Sequence, residues 1–216
     1  MIRNMNLANR ITLARVVLIP VFLVVLLGEV PAWLSMPEWW HIAQPWLAAL
    51  IFITLAASDA VDGYVARSRN QVTTFGKFID PLADKLLVTA ALVALVDLDR
   101  LPSWVALVII SRELVVSGLR MVAVAEGRVI AASKLGKVKT VMQIIAIAGY
   151  LLKESTLLAN VLESVLGPGA MTYYNGLAWA IMAAAVTATI ASMIDYFYHA
   201  RDILTGPWDR GQGEGA

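Results

Sequence analysis

The sequence has 216 residues, of which 59% are hydrophobic and only 15% charged, more apolar surface than a soluble domain of this length buries, so lipid must be part of its solvent. Lys and Arg number 17 against 16 Asp and Glu, and the resulting formal charge of +1 carries no nucleic-acid-binding footprint. The absence of cysteine excludes disulfides, thiolate metal sites and cysteine nucleophiles.

Residues 1–10 are polar and basic and read as a short interfacial segment before a first apolar run, 11–27. No small-x-small cleavage site follows that run; Glu29, Val30 and Pro31 come instead, so it is expected to be a retained span. Trp33, Trp39, Trp40 and Trp46 crowd the first outer loop and read as an anchoring belt, where an indole buries its ring and keeps its N–H near water. Further stretches able to cross about 30 Å of hydrocarbon as helix follow at 44–62, 79–97, 103–125, 138–153 and 176–199. Between the last two, Glu154 to Asn175 contains Gly167, Pro168 and Gly169 and reads as an outer loop with room for one short interfacial helix. The tail from about residue 205 is expected to be disordered or loosely held.

The fold expected is therefore all-α: a single polytopic membrane domain over 1–216 with six transmembrane helices and both termini cytoplasmic. Only Arg100 and Lys153, of the 17 basic residues, fall on the far side in that orientation, which is the asymmetry that inner retention of Lys and Arg demands.

The second and third spans meet at the inner boundary through SDAVDGYVARSRNQVTTFGKFIDPLADK, Ser58 to Lys85. On helices, Asp59 and Asp62 share a face at i, i+3, and Asp80 and Asp84 share one at i, i+4. Four carboxylates converging beside a membrane repel, and desolvation adds to the cost, so protons or cations must compensate. Hard divalent ions suit them: Mg²⁺ or Mn²⁺ prefers carboxylate oxygen, takes few protein ligands and pairs naturally with a diphosphate substrate. Gly63 and Gly76 lie beside these aspartates, where a missing side chain lets a nucleotide approach the backbone, and Arg67 offers a forked phosphate donor.

Asp59, Asp62, Gly63, Ala66, Arg67, Gly76, Asp80 and Asp84 match, at every fixed position, the pattern D-x-x-D-G-x-x-A-R, eight residues, G-x-x-x-D-x-x-x-D, and so the chain resembles the CDP-alcohol phosphatidyltransferase family. The resemblance implies that Asp59, Asp62 and Asp80 hold metal, two ions per active site, with Asp84 completing the set and acting as general base. It places the cytidine near Gly63, Ala66 and Arg67. It also implies attack by an acceptor hydroxyl on the lipid-bearing phosphorus of a CDP-lipid, release of CMP, and a homodimer whose interface is not legible. Asn6 to Arg15 resembles the family's N-x-P-N-x-x-T-x-x-R segment, with Ala8 where proline is common; Asn9 and Thr12 lie against nucleotide or acceptor on this reading, or serve as a helix N-cap.

Arg112 and Glu113 interrupt the fourth apolar run, and an intramembrane ion pair is expensive unless it faces a wet cavity or a partner. With Arg120, Ser133, Lys134 and Lys137 they make candidate contacts for an anionic acceptor, and Arg120, Lys134, Lys137 and Lys139 add a cationic wall that suits a phosphate ester. For Lys139 and Arg128 the expectation is inner-side retention and attraction to anionic headgroups. The segments Ser111 to Arg120 and Ala125 to Thr140 resemble those of bacterial phosphatidylglycerophosphate synthases, which implies CDP-diacylglycerol as donor, sn-glycerol 3-phosphate as acceptor, and a place in the bacterial inner membrane with the site facing the cytoplasm. A sister enzyme using inositol phosphate or serine stays open, as does, from another class, a cation-coupled transporter.

Overall fold

A computed structural model describes residues 7–28, 37–68, 74–125 and 134–205, with side chains described except at 7–11, 38, 59–84, 124–135, 137 and 199–205. Among the described residues there is helix and no strand. The seven helices are α1 (Leu7–Leu27), α2 (Glu38–Ser68), α3 (Thr74–Asp97), α4 (Ser103–Ala125), α5 (Lys134–Leu152), α6 (Thr156–Leu166) and α7 (Ala170–Thr205). Each predicted span falls on one long helix, and α6 occupies the predicted outer loop. Trp39–Ser58 and Ala170–Tyr198 are long and apolar enough to cross a membrane. A third such span arises if Val138–Leu152 and Thr156–Leu166 count as one broken by a 95° bend.

Val24, Leu50, Val93, Leu107, Val141 and Ile194, on six different helices, are all more than half exposed. Apolar side chains turned outward on every long helix are the mark of a molecule solvated by lipid. Lipid tails are as apolar as leucine, so helices associate there through close packing rather than water exclusion. Small residues accordingly line the inside: Ala48, Ala49, Ala91, Ala94, Ala146 and Ala185 are buried, letting backbones approach around Phe22, Phe52, Leu95 and Ile147. Helix α1 packs on α2 and α3, while α7 runs along α5 and α4.

Carbonyls at a helix end in hydrocarbon need donors that water cannot supply. Gly28, at φ 63°, ends α1 with its N–H on the Val24 carbonyl. Gln44 Nε2 then donates to the carbonyls of Val25 and Leu26, each at 3.1 Å. Replacing Gln44 by leucine leaves both without that donor, and is expected to lower stability by about 2 kcal/mol, read as a lower thermal midpoint in detergent.

At the same end, Trp46 Nε1 donates to Ser155 Oγ at 2.8 Å, so one tryptophan of the expected belt ties α2 to the start of α6. Trp39 and Trp40 are helical rather than in a loop and pack edge to face, and Trp33 lies outside the described residues. Arg100 pairs with Glu154 at 3.0 Å and Lys153 sits over the Tyr150 ring, so the two basic residues expected on the far side share one end of the bundle.

The last long helix begins at Ala170, six residues before the predicted start. Gly167 and Gly169, both at φ 89°, make the whole reversal between α6 and α7, a conformation side chains resist. The polar run from Thr172 to Asn175, read as loop by hydropathy, is therefore the first turns of α7.

Candidate active site

Helix α2 continues through the first half of the aspartate pattern to Ser68, and α3 begins at Thr74, before the second half. Asp59, Asp62, Gly63, Ala66 and Arg67 thus lie on the last three turns of α2, and Gly76, Asp80 and Asp84 on the first three of α3. The two helices are in contact, and only residues 69–73 separate the end of α2 from the start of α3 in the chain. The side chains of all eight lie outside those described, as do those of Asn9, Lys134 and Lys137, while Ser133 lies outside the described residues altogether. No three carboxylate, histidine or cysteine side chains gather as a metal site among the described residues. Four carboxylate donors on two touching helices are, as a donor set, suited to hard divalent ions.

One residue before the first aspartate, Ser58 is tied to α1. Arg15 Nε donates to Ser58 Oγ at 3.2 Å, and that hydroxyl donates to the Leu55 carbonyl at 2.8 Å. Arg15 and Thr12 are each only 2% exposed, so α1 presents a buried polar face to α2 just below the aspartates. Thr12 stands well inside α1 and Asn9 within its bounds, which removes the N-cap alternative for both.

A second group of charged side chains meets between α3, α4, α5 and α7. Glu113 on α4 receives Lys85 Nζ from α3 on Oε2 at 3.2 Å, and on Oε1 it meets Arg112 at 3.4 Å and Lys139 Nζ from α5. Arg112 also donates to Ser192 Oγ on α7, and its guanidinium lies 5.6 Å from the centre of the Tyr196 ring. Arg120, two turns along α4, lies 5.1 Å from the same ring centre and donates to its hydroxyl. Four helices thus meet on one carboxylate and one tyrosine.

Arg112 is 6% exposed and Lys139 2%, so this charge is held where water is scarce. Two like charges about 6 Å apart repel by roughly 3 kcal/mol at an effective dielectric of 20. Glu113 offsets that repulsion among three cations, and the face of the Tyr196 ring attracts both guanidinium groups. Cations brought from three helices to one place are suited to a multiply charged anion.

Lys139 is a correction. It is buried against Glu113 and does not reach toward headgroups, because its position on α5 turns it to the bundle interior; Arg128 lies outside the described residues. Lys85, Ser192 and Tyr196 were not singled out from sequence. For the last two a signal existed: Thr189, Ser192 and Tyr196 recur at helical spacing along one face of a mostly apolar stretch, and all three are buried.

Comparison with known proteins identifies the scaffold that carries these groups. Residues 5–191 match the family model described as CDP-alcohol phosphatidyltransferase. The chain is 50% identical over 152 residues to the CDP-diacylglycerol–glycerol-3-phosphate 3-phosphatidyltransferase of Bacillus subtilis, covering 68% of this chain and 77% of that one. It is 39% identical over 205 residues to a probable phosphatidylglycerophosphate synthase of Mycobacterium tuberculosis, covering 93% and 85%. The CDP-diacylglycerol–glycerol-3-phosphate 3-phosphatidyltransferase of Escherichia coli K12 is 37% identical over 205 residues, covering 92% and 97%. With the family model spanning most of its length, and the aspartate pattern divided between the end of α2 and the start of α3, this chain belongs to the CDP-alcohol phosphatidyltransferase family.

Proposed function

We propose that this protein transfers the phosphatidyl group of CDP-diacylglycerol to sn-glycerol 3-phosphate, giving phosphatidylglycerophosphate and CMP. The observation that carries the acceptor is the cationic cluster around Glu113 and Tyr196, in which Arg112 and Lys139 are buried, on a scaffold whose relatives bear the names of glycerol-3-phosphate-using enzymes. A zwitterionic acceptor such as serine, with one carboxylate and no net charge, gives less reason than a phosphate dianion to hold Lys85, Arg112, Lys139 and Arg120 near one another in an apolar bundle.

In the reaction proposed, the acceptor's primary hydroxyl oxygen bonds to the lipid-bearing phosphorus and the bond from that phosphorus to the CMP oxygen breaks. Asp84 accepts the hydroxyl proton. Asp59, Asp62, Asp80 and Asp84 would hold two Mg²⁺ or Mn²⁺ ions, whose contribution is to neutralise charge on the diphosphate. Gly63, Ala66 and Arg67 would take the cytidine and its phosphate, with Asn9 and Thr12 alongside. Arg112 and Arg120, with Lys134, Lys137 and Ser133, would take the acceptor's phosphate, while Glu113 orders the cations around it.

The topology proposed with it is six spans, one for each long helix, with both termini cytoplasmic, in the inner membrane of a bacterium. Helix α6 would lie along the outer interface, and the functional unit would be a homodimer. The test is to incubate the purified protein with CDP-diacylglycerol, Mg²⁺ and, in parallel, glycerol 3-phosphate, inositol phosphate or serine. CMP release and phosphatidylglycerophosphate are expected with glycerol 3-phosphate alone. Turnover only with another acceptor would move the protein to a sister activity, and cation movement without CMP release would favour a transporter.

A further inference from the structure

Glu113 is placed where a substrate anion would also be drawn. Its two oxygens meet Lys85, Arg112 and Lys139, brought from three helices. Two buried donors close by have no acceptor among the described residues: Arg112 Nε, and Gln143 Nε2, one turn along α5 from Lys139 on the same face. A carboxylate brings one negative charge and two oxygens; a phosphate monoester dianion brings twice the charge and three free oxygens. Such a dianion competes for the same cations and also offers acceptors to the unmet N–H groups.

We propose that Glu113 is an internal counter-anion: a specificity-determining residue that competes with the acceptor's phosphate for Lys85, Arg112 and Lys139. The inference rests on the phosphorylated-acceptor reading above. Glu113 holds the three cations together before the substrate arrives, and it weakens the grip on any phosphate, including the phosphate of the product, by remaining a rival ligand. A monoanionic phosphodiester, such as a neighbouring lipid headgroup, gains too little from the cations to displace it. A purely structural Glu113 has the opposite signature, because removing it would scatter the cations and loosen anion binding.

The test uses the full chain in detergent with inorganic phosphate as the probe and chloride as the ionic-strength control. Phosphate binding is read without CDP-lipid, from the concentration that gives half the maximal rise in thermal midpoint, and separately as competitive inhibition against glycerol 3-phosphate. Glu113→Gln is expected to lower both concentrations about tenfold, and Lys139→Met to raise them by a similar factor. An unchanged or raised phosphate concentration in Glu113→Gln overturns the proposal. If that variant is not recovered folded, Glu113→Asp, one methylene short of spanning three cations, is expected to tighten phosphate about threefold; looser or unchanged binding there overturns it equally. The binding arm needs no turnover, so the two readings fail separately. A protein that binds phosphate yet makes no lipid from glycerol 3-phosphate loses its proposed acceptor; one that makes the lipid without tightening in Glu113→Gln loses only the counter-anion.

Discussion

Asp80→Asn and Asp59→Asn are each expected to lower the rate of CMP release about a thousandfold at millimolar Mg²⁺, with the protein still inserted and folded. The two substitutions keep size and hydrogen-bonding capacity and remove one negative charge each, from opposite sides of the proposed site, since Asp59 stands on α2 and Asp80 on α3. If both carboxylates hold ions shared with the diphosphate, either loss removes charge that is needed most as the bond to CMP breaks. Repulsion among the remaining carboxylates also falls, so the thermal midpoint without metal should hold or rise. That opposite movement of stability and rate separates a metal role from a helix-capping role, in which both would fall. Chelation of wild-type protein should reproduce the loss, and Mg²⁺ or Mn²⁺ should reverse it. Undiminished turnover in either variant would remove the metal assignment.

The second large effect is expected at Arg112, where the contrast with Arg120 carries the argument. Arg112 joins Glu113 on its own helix to Ser192 on α7 from a buried position. Arg112→Met keeps the stem and removes the charge, leaving Glu113 to Lys85 and Lys139, so the structural loss should stay near 2 kcal/mol while kcat/KM for the phosphorylated acceptor falls about a hundredfold. Arg120 is an exposed residue held by the Tyr196 ring and hydroxyl. Arg120→Ala should raise the KM for glycerol 3-phosphate roughly tenfold, with kcat and the KM for CDP-diacylglycerol little changed. Equal effects of the two variants on every constant would mean that the cluster serves packing, and both arginines would return to a structural role.

Much of this was legible in the sequence because its causes are local. A helix in lipid must satisfy its backbone internally and present apolar side chains outward, so each long helix announces itself as a continuous hydrophobic run, and all six runs are helical. The aspartate pattern was legible for the same reason: its spacing works only on helical turns, and α2 and α3 are helical through its two halves. Hydropathy failed where polar residues are helical without being lipid-facing, as in the first turns of α7, and where a buried lysine resembles an inner-boundary lysine, as at Lys139.

The sequence by itself determined that the chain is helical, lipid-solvated and equipped with carboxylates paired at helical spacing, since each property depends on residues within a few turns of one another. Only the tertiary structure decided which charges meet: Lys85 reaches Glu113 across 28 residues, Arg120 reaches Tyr196 across 76, and Arg112 reaches Ser192 across 80. Hydropathy reports how far a side chain is from water, and carries no information about which neighbouring helix it faces. That choice belongs to the packing of small residues between helices, which sets how closely α3, α4, α5 and α7 approach and therefore which ions share a carboxylate.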